Sequence, residues 1–467
     1  MSKTKTDEHS KKALKAGVWY TASSFLRKGI GVFSTPIFAR LLTKGELGLQ
    51  NNFVVWFSMA AVVCTLNLKS SVSRAKFDYK DRFDEYLSCI TFLGSIATMF
   101  FYAIVVMFKD FFVSLWQLDM IYIHLMFIEL LVAPSLDILQ AKHRIQQKYK
   151  VQVGISVFLS VASTFLAVLA VFLCKDKLFG RIMGEAIVNI VVYILVFVYV
   201  MYKGKKLVDV KIWKYAMAYS IPLIPHLVAN NILGGADKMM ITRICGKEAN
   251  GMYSISYVGG TIISTLMTCF NSAMVPWLFE KLHAKDYKII KKVNRFYVAG
   301  FSIMVIGAIL LAPEIMMFFG GKKYAGAEML VPPVMLGYGF KFAYTNYVNV
   351  EQFNKKTGMV SLGTGIAAVF NIITNFIFIP IYGYRAAAYT TLAAFVLLYF
   401  LHYYICRKYG FVDMYDNKFF LGVLIVMLIG GLLLQGLYPY RLIRFALAFI
   451  VGVISLVGIW NVKKKYF

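Results

Sequence analysis

Acids are scarce in this chain. Asp and Glu together number 23 against 50 Lys and Arg in 467 residues, a formal net charge of +27. Long polar segments are missing as well: the stretches between apolar runs stay under about 20 residues, too short to fold separately. They hold no paired-carboxylate site, no nucleophile elbow and no glycine loop of the kind that cradles phosphates. A membrane-bound polymerase, a glycosyltransferase or a nucleotide hydrolase is therefore not expected, and the reading is of a protein that is not an enzyme. Asp78, Asp81, Asp84 and Glu85 do cluster, but basic residues interrupt them and they read as solvated charge. The six cysteines (Cys64, Cys89, Cys174, Cys245, Cys269 and Cys406) stand singly, with no CxxC pair and no histidine at ligand spacing. That pattern argues against a metal site and against a disulfide framework.

What the chain has in abundance is apolar sequence. Hydrophobic residues make up 59% of it, where soluble chains hold about 45–50%, and mean hydropathy is +0.66. Runs of about 20 apolar residues recur, each long enough to cross a hydrocarbon core of about 30 Å as a helix. The chain reads as an all-α polytopic membrane protein with about fourteen spans, near 14–40, 47–69, 87–108, 118–141, 151–174, 180–202, 212–242, 250–279, 296–319, 329–353, 358–380, 385–406, 419–437 and 441–462. An even count puts both termini on one side. Most Lys and Arg lie in the termini and in the loops on that side, so both termini are expected in the cytoplasm of a bacterial inner membrane. The positive charge then reads as the basic fringe that orients helices and meets anionic membrane lipids, and no nucleic-acid partner is expected. The polar start through Lys15 lacks a signal-peptide pattern, and no processing is expected.

A shift of 203 residues lays the first two spans over the seventh and eighth, pairing Gly31 with Gly234, Arg40 with Arg243, Lys44 with Lys247 and Gly48 with Gly251. Two six-helix lobes in a pseudo-two-fold arrangement follow, with substrate expected at their interface near the midplane. The expected division is an N-lobe over 1–202, a cytoplasmic linker over 203–214, a C-lobe over 215–410 and two extra C-terminal helices over 411–467.

Arg27 and Lys28 sit near the middle of the first span, where a charge costs about 2.5–3.5 kcal/mol on insertion scales. Such residues usually face a wet cavity or an ionic partner. Ser24, Arg27, Gly31 and Ser34 recur at steps of three and four, a small, polar and cationic stripe that could border such a cavity and attract phosphate or pyrophosphate. The competing reading pairs Arg27 or Lys28 with Glu129, an acid in mid-span four. In span seven, Pro222, Pro225, His226, Asn230, Asn231, Gly234, Gly235, Asp237 and Lys238 predict a kinked or locally unwound, moving helix. Asn230 and Asn231 fall on the repeat positions of Arg27 and Lys28. Alternatively, the asparagines are hydrogen-bond glue between helices. Lys341, about twelve residues into span ten, is the second half's candidate anion-binding charge; otherwise it pairs with Glu351 or reaches to an interface. Arg74, beside Lys76 at the inner end of span two, could form an entry collar for a phosphate headgroup, or serve as ordinary orienting charge.

The turn ARLLTKGELG after the first span, and ADKMM followed by GKEANGMYSISY around span seven, resemble Wzx-type polysaccharide flippases of the multidrug, oligosaccharidyl-lipid and polysaccharide exporter superfamily, which also holds lipid II flippases and multidrug and toxin extrusion transporters. The resemblance implies alternating access by two lobes around a cationic cavity, moving an undecaprenyl-pyrophosphate-linked oligosaccharide between leaflets. Other polysaccharide assembly proteins would be partners. It matches Arg27 and Arg74 to arginines of that family and Lys238 to the basic member of its Asp-Arg pair; with Lys28, Asn230, Asn231 and Lys341 from the residue pattern, these are the expected substrate contacts. It also implies possible cation coupling through Asp237, Asn371, Asn375 and Thr391, with Glu129 as a further acid; one acidic ligand of the related sodium site is an asparagine here. No cofactor and no firm metal site are expected, with Na+ or H+ as coupling ion. The alternatives are a lipid II flippase and a multidrug cation antiporter, the latter disfavoured by cations where acids are wanted.

Overall fold

The computed structural model describes residues 29–146 and 149–466. Helices dominate, and among the described residues there is no strand. The chain forms two compact units, Met1–Arg243 and Ile244–Phe467.

The first unit opens with α1, Gly29–Leu41, followed by α2, Lys44–Cys64. The turn between them is a capping box. Thr43 Oγ1 accepts the Glu46 amide at 3.2 Å, and the Glu46 carboxylate accepts the Thr43 amide at 2.6 Å. The TKGE segment is thus a helix start, and losing such a cap costs about 0.5–2 kcal/mol. Next come the short α3 (Val72–Asp78), then α4 (Phe83–Met107), the short α5 (Lys109–Trp116) and α6 (Met120–Ile145). They are followed by α7 (Tyr149–Leu173), α8 (Lys177–Gly204), α9 (Val210–Ser220) and α10 (Ile224–Cys245). Helices α7 and α8 approach closely because Gly180 and Gly184 lack side chains. A Cβ on Gly184 would fall 2.5 Å from Ala167 Cα, and one on Gly180 2.6 Å from the Ala170 carbonyl oxygen. Small residues four apart are the usual means of close helix contact in lipid. Two apolar clusters fill the unit, one around Trp116, Met126 and Phe127, the other around Tyr86, Ile90 and Ile138.

Span seven is broken, as its prolines predict. A 3-10 turn over Ile221–Leu223 separates α9 from α10, since Pro222 and Pro225 remove the amides a continuous helix would need.

The second unit comprises α11 (Lys247–His283), α12 (Tyr287–Leu310), the short α13 (Ala312–Phe319), α14 (Val331–Phe353) and α15 (Thr357–Tyr382). Helices α16 (Ala386–Lys408), α17 (Asn417–Leu433) and α18 (Arg441–Tyr466) complete it. Helix α14 is its core: Phe342 stacks on Phe301 with centroids 3.8 Å apart, and Tyr347 is fully buried.

Each expected span from the second onward corresponds to a helix, with two adjustments, and the described part of the first, from Gly29, is helical. Span nine ends at Leu310 because Pro313 starts the separate α13, and span seven is the α9–α10 pair. Among the described residues nine segments are long and apolar enough to cross a membrane, one of them running continuously from Gly358 to Lys408. Neither α10 nor α14 is among them. The compact units also divide after Arg243, beyond the expected 203–214 linker. That segment is fastened to the first unit. Ser88 donates to the Lys206 carbonyl at 2.6 Å, Trp213 donates to the Cys89 carbonyl at 3.0 Å, and Ile212 and Ala216 enter the Tyr86 cluster. Asp209 caps α9 through the amides of Lys211 and Ile212 and pairs with Lys206 at 2.9 Å and Arg82 at 3.3 Å. The hydrogen bond from the Lys206 ammonium is the main reason its carboxyl is lowered to about 2.

Candidate functional site

In the first unit two groups of polar residues inside the membrane-spanning region bear on the expected site. One is a ladder on α8, where Arg181, Glu185 and Asn189 recur every four residues and so share a face. Arg181 lies over the Phe38 ring of α1, 3.6 Å from its centroid, and ion-pairs with Glu185. Asn189 donates to the Glu129 carboxylate of α6 at 2.9 Å, and Glu129 is only 7% exposed. A buried carboxylate here is held by a neutral amide; Arg27 and Lys28, its expected partners, lie outside the described residues. Sequence reasoning found Glu129 as a mid-span acid and missed Asn189 and Arg181. The four-residue spacing was the available signal.

The other group is α10. Asn230 is exposed and donates to the His226 carbonyl at 3.1 Å, and Gly234 is exposed with open space beside it. Asn231, by contrast, donates to the Ser58 carbonyl of α2 at 3.3 Å, and Gly235 rests against Val55. The glue reading therefore describes Asn231, while Asn230 stays accessible. Asp237 is buried and accepts the Lys238 amide at 2.9 Å; Lys238 is half-buried. Arg74 stands apart on α3, strongly exposed and 3.5 Å from Asp78, an i,i+4 surface pair of little energetic weight.

In the second unit, Lys341 is half-buried on α14 with its ammonium 5.7 Å from the Tyr338 ring centroid and 5.6 Å from that of Phe395 on α16. Both are within reach of a cation–π attraction. The expected Glu351 alternative does not hold. Ten residues of helix put the two about 15 Å apart, and Glu351 instead meets His402 Nδ1 at 2.9 Å. That buried pair was not foreseen.

Asn371, Asn375 and Thr391 do come together. Asn371 donates to the Thr391 hydroxyl at 3.2 Å, and Asn375 donates to Asn371 Oδ1 at 3.2 Å. Thr390, unmarked in the sequence reading, donates to Asn375 Oδ1. Both asparagine oxygens are thus engaged by neighbouring donors, and the group carries no formal charge. Holding a cation would require these amides to turn, because hard cations need several oxygens facing inward. Asp237 belongs to the other unit.

The family of polysaccharide biosynthesis proteins matches residues 13–282, more than half of the chain. The chain belongs to that family. An uncharacterized membrane protein of Methanocaldococcus jannaschii is 23% identical to it over 97% of this chain and 98% of its own length. Among solved structures, the inward closed conformation of the lipid II flippase MurJ superposes with a TM-score of 0.74 at 17% identity, covering 95% of this chain and 99% of that one. A transporter of the multidrug, oligosaccharidyl-lipid and polysaccharide exporter superfamily from Pyrococcus furiosus gives a TM-score of 0.58 at 13% identity, covering 85% of this chain and 96% of that one. At these identities the superpositions speak for fold, and the fold is that of polytopic membrane transporters. This family member is accordingly a multi-pass membrane protein.

Proposed function

We propose that the protein is a flippase moving an undecaprenyl-pyrophosphate-linked oligosaccharide from the inner to the outer leaflet of a bacterial cytoplasmic membrane, for cell-surface polysaccharide biosynthesis. Membership of the polysaccharide biosynthesis family supports the pathway, and one observation carries the substrate's charge: Lys341 is held half-buried between aromatic rings inside a helix of the second unit. An ammonium in that setting favours an anionic headgroup, since desolvated charges strengthen their pairing with phosphate. Arg27 and Lys28 are assigned the same task in the first half, with Asn230, Asn231 and Lys238 on the broken helix and Arg74 at the cytoplasmic entrance. The lipid tail stays in the bilayer while the head crosses by alternating access, coupled to Na+ or H+. Both termini are cytoplasmic in this reading, and the chain catalyses no covalent chemistry.

A second reading, transport of the peptidoglycan precursor lipid II, draws on the likeness to MurJ and uses the same headgroup chemistry. The test is a reconstituted assay. Proteoliposomes carry a fluorescent polyprenyl-pyrophosphate saccharide, and an impermeant quencher reports arrival in the opposite leaflet. Transport by the wild type that falls at least about tenfold in Lys341→Ala supports the proposal. Transport unaffected by Lys341→Ala, or robust export of ethidium that survives Arg27→Ala, overturns it. Competition with lipid II separates the two substrates.

A further inference from the structure

The second unit buries one acid–base pair that translocation as described leaves without a task. Glu351 of α14 and His402 of α16 have side chains with 0% exposure, and His402 Nδ1 lies 2.9 and 3.1 Å from the two carboxylate oxygens. The Cys406 thiol, one turn further along α16, points at Glu351 Oε1 from 3.7 Å and at the Tyr347 carbonyl from 3.8 Å. On the far side α15 presents Gly363, so close that a Cβ there would lie 3.1 Å from Nε2 and Cε1 of the imidazole. His402 Nε2 itself has no hydrogen-bond partner.

That leaves a definite proton count. With its single proton on Nδ1, directed at the carboxylate, the imidazole is neutral and the pair carries one buried negative charge. A second proton on Nε2 makes the pair neutral as an ion pair. Burying an unpaired carboxylate is costly and burying a hydrogen-bonded pair much less so. The other titratable groups around the pair are the Cys406 thiol, Tyr344 and Tyr347. Lys356, just past the end of α14, gives its amide to the Glu351 carbonyl at 2.8 Å but sets its ammonium over Tyr409, 4.5 Å from the ring centroid.

An aromatic column joins this pair to the candidate anion site. Tyr344 stacks on His402 with centroids 5.5 Å apart and planes 17° apart, and on Phe395 at 6.4 Å and 14°. Lys341 lies over that same Phe395. Tyr344 and Glu351 are seven residues apart on α14, as Phe395 and His402 are on α16, so each helix contributes one face to the column.

We propose that the Glu351–His402 pair is a proton-binding site coupled to anion binding at Lys341, proton uptake at His402 Nε2 removing a buried negative charge behind the headgroup site. The coupled half rests on the flippase reading; the proton-binding half rests on the geometry of this unit alone. Coupling is reciprocal: a proton favours the anionic ligand, and the ligand favours the proton.

Two measurements on the full-length protein in detergent test it. The first follows the imidazole nitrogens by 15N NMR in a chain whose other five histidines are replaced by glutamine, leaving His402 native. Uptake of a proton at Nε2 on acidification from pH 8 to 5 is expected. An imidazole fixed in one state over that range overturns the site. The second measures Kd for geranylgeranyl pyrophosphate at pH 5.5 and 7.5. The gain in affinity on acidification should be at least about fivefold larger in the wild type than in His402→Gln, the probe's own titration being common to both. Equal gains overturn the coupling. A titrating His402 in a protein that binds no pyrophosphate at either pH supports the proton site and overturns the flippase reading instead.

Discussion

Helices α10 and α14 are both too polar to count among the apolar spans, yet they handle polarity in opposite ways. In α14, 17 of 23 residues are buried, including Asn346, Asn349 and Glu351. Asn349 donates to Asn271, Asn346 to the Phe342 carbonyl, and Glu351 meets His402. In α10 only six of 22 residues are buried, the helix follows a proline-made break, and Asn230 and Gly234 stay exposed. Polar sequence within a membrane helix therefore has two meanings. Where the polar side chains are buried with partners, on their own helix or a neighbour, it builds a packed wall; where they are not, it leaves an accessible surface. Lys341 stands on the wall and Asn230 on the surface.

That contrast can be broken by mutation. The largest effect is expected for Tyr347→Ala in α14, which empties a fully buried ring site and should cost about 3–5 kcal/mol, read as a steep fall in Tm of the purified protein. A near-unchanged Tm would mean that α14 is not the core. Next is Asn375→Ala in α15. It strips partners from Asn371 and Thr390 in a site with 0% exposure and should cost about 1–3 kcal/mol by denaturant unfolding. Asn230→Ala in α10 should move stability by less than about 0.5 kcal/mol while slowing transport several-fold. A stability loss as large as that of Asn375→Ala would erase the distinction between the helices.

The smallest effect lies outside the membrane, at Asp209. Its carboxyl is lowered from 3.8 to about 2 by the Lys206 hydrogen bond. The folded-state value is below the unfolded one, so its stabilisation is complete above about pH 4 and is lost as pH falls toward 2. Asp209→Asn should lower stability slightly at neutral pH, leave it unchanged near pH 2, and so flatten the acid limb of a pH–stability curve. An unchanged acid limb would detach the 203–214 segment from the first unit's stability.

The fold was largely legible because length and apolarity alone define a membrane helix, and the prolines marked the break in span seven. The position of Pro313 would have separated α13 had it been weighed as a helix start. The site was less legible. Asn371, Asn375 and Thr391 were singled out by likeness to a known pattern, the two asparagines standing four residues apart, and the three side chains do meet. Asn189, Thr390 and His402 were missed because each takes its role from a partner on another helix, 15 to 60 residues away. Hydropathy does not report such pairings, and the four-residue step on α8 could have marked the Arg181–Glu185–Asn189 face without naming Glu129 as its partner. The compact-unit boundary was displaced for the same reason: the packing of α9 on Tyr86 and Cys89 is tertiary information.

If a cationic membrane interior binds a polyprenyl-pyrophosphate lipid, native mass spectrometry of the gently purified protein should find it still bound. A bound lipid of that class is expected on the wild type, its glycan identifiable by mass, with loss of that lipid when Arg27 and Lys28 are both replaced by alanine. Absence of any such lipid, with an added cationic drug binding in its place, would contradict it.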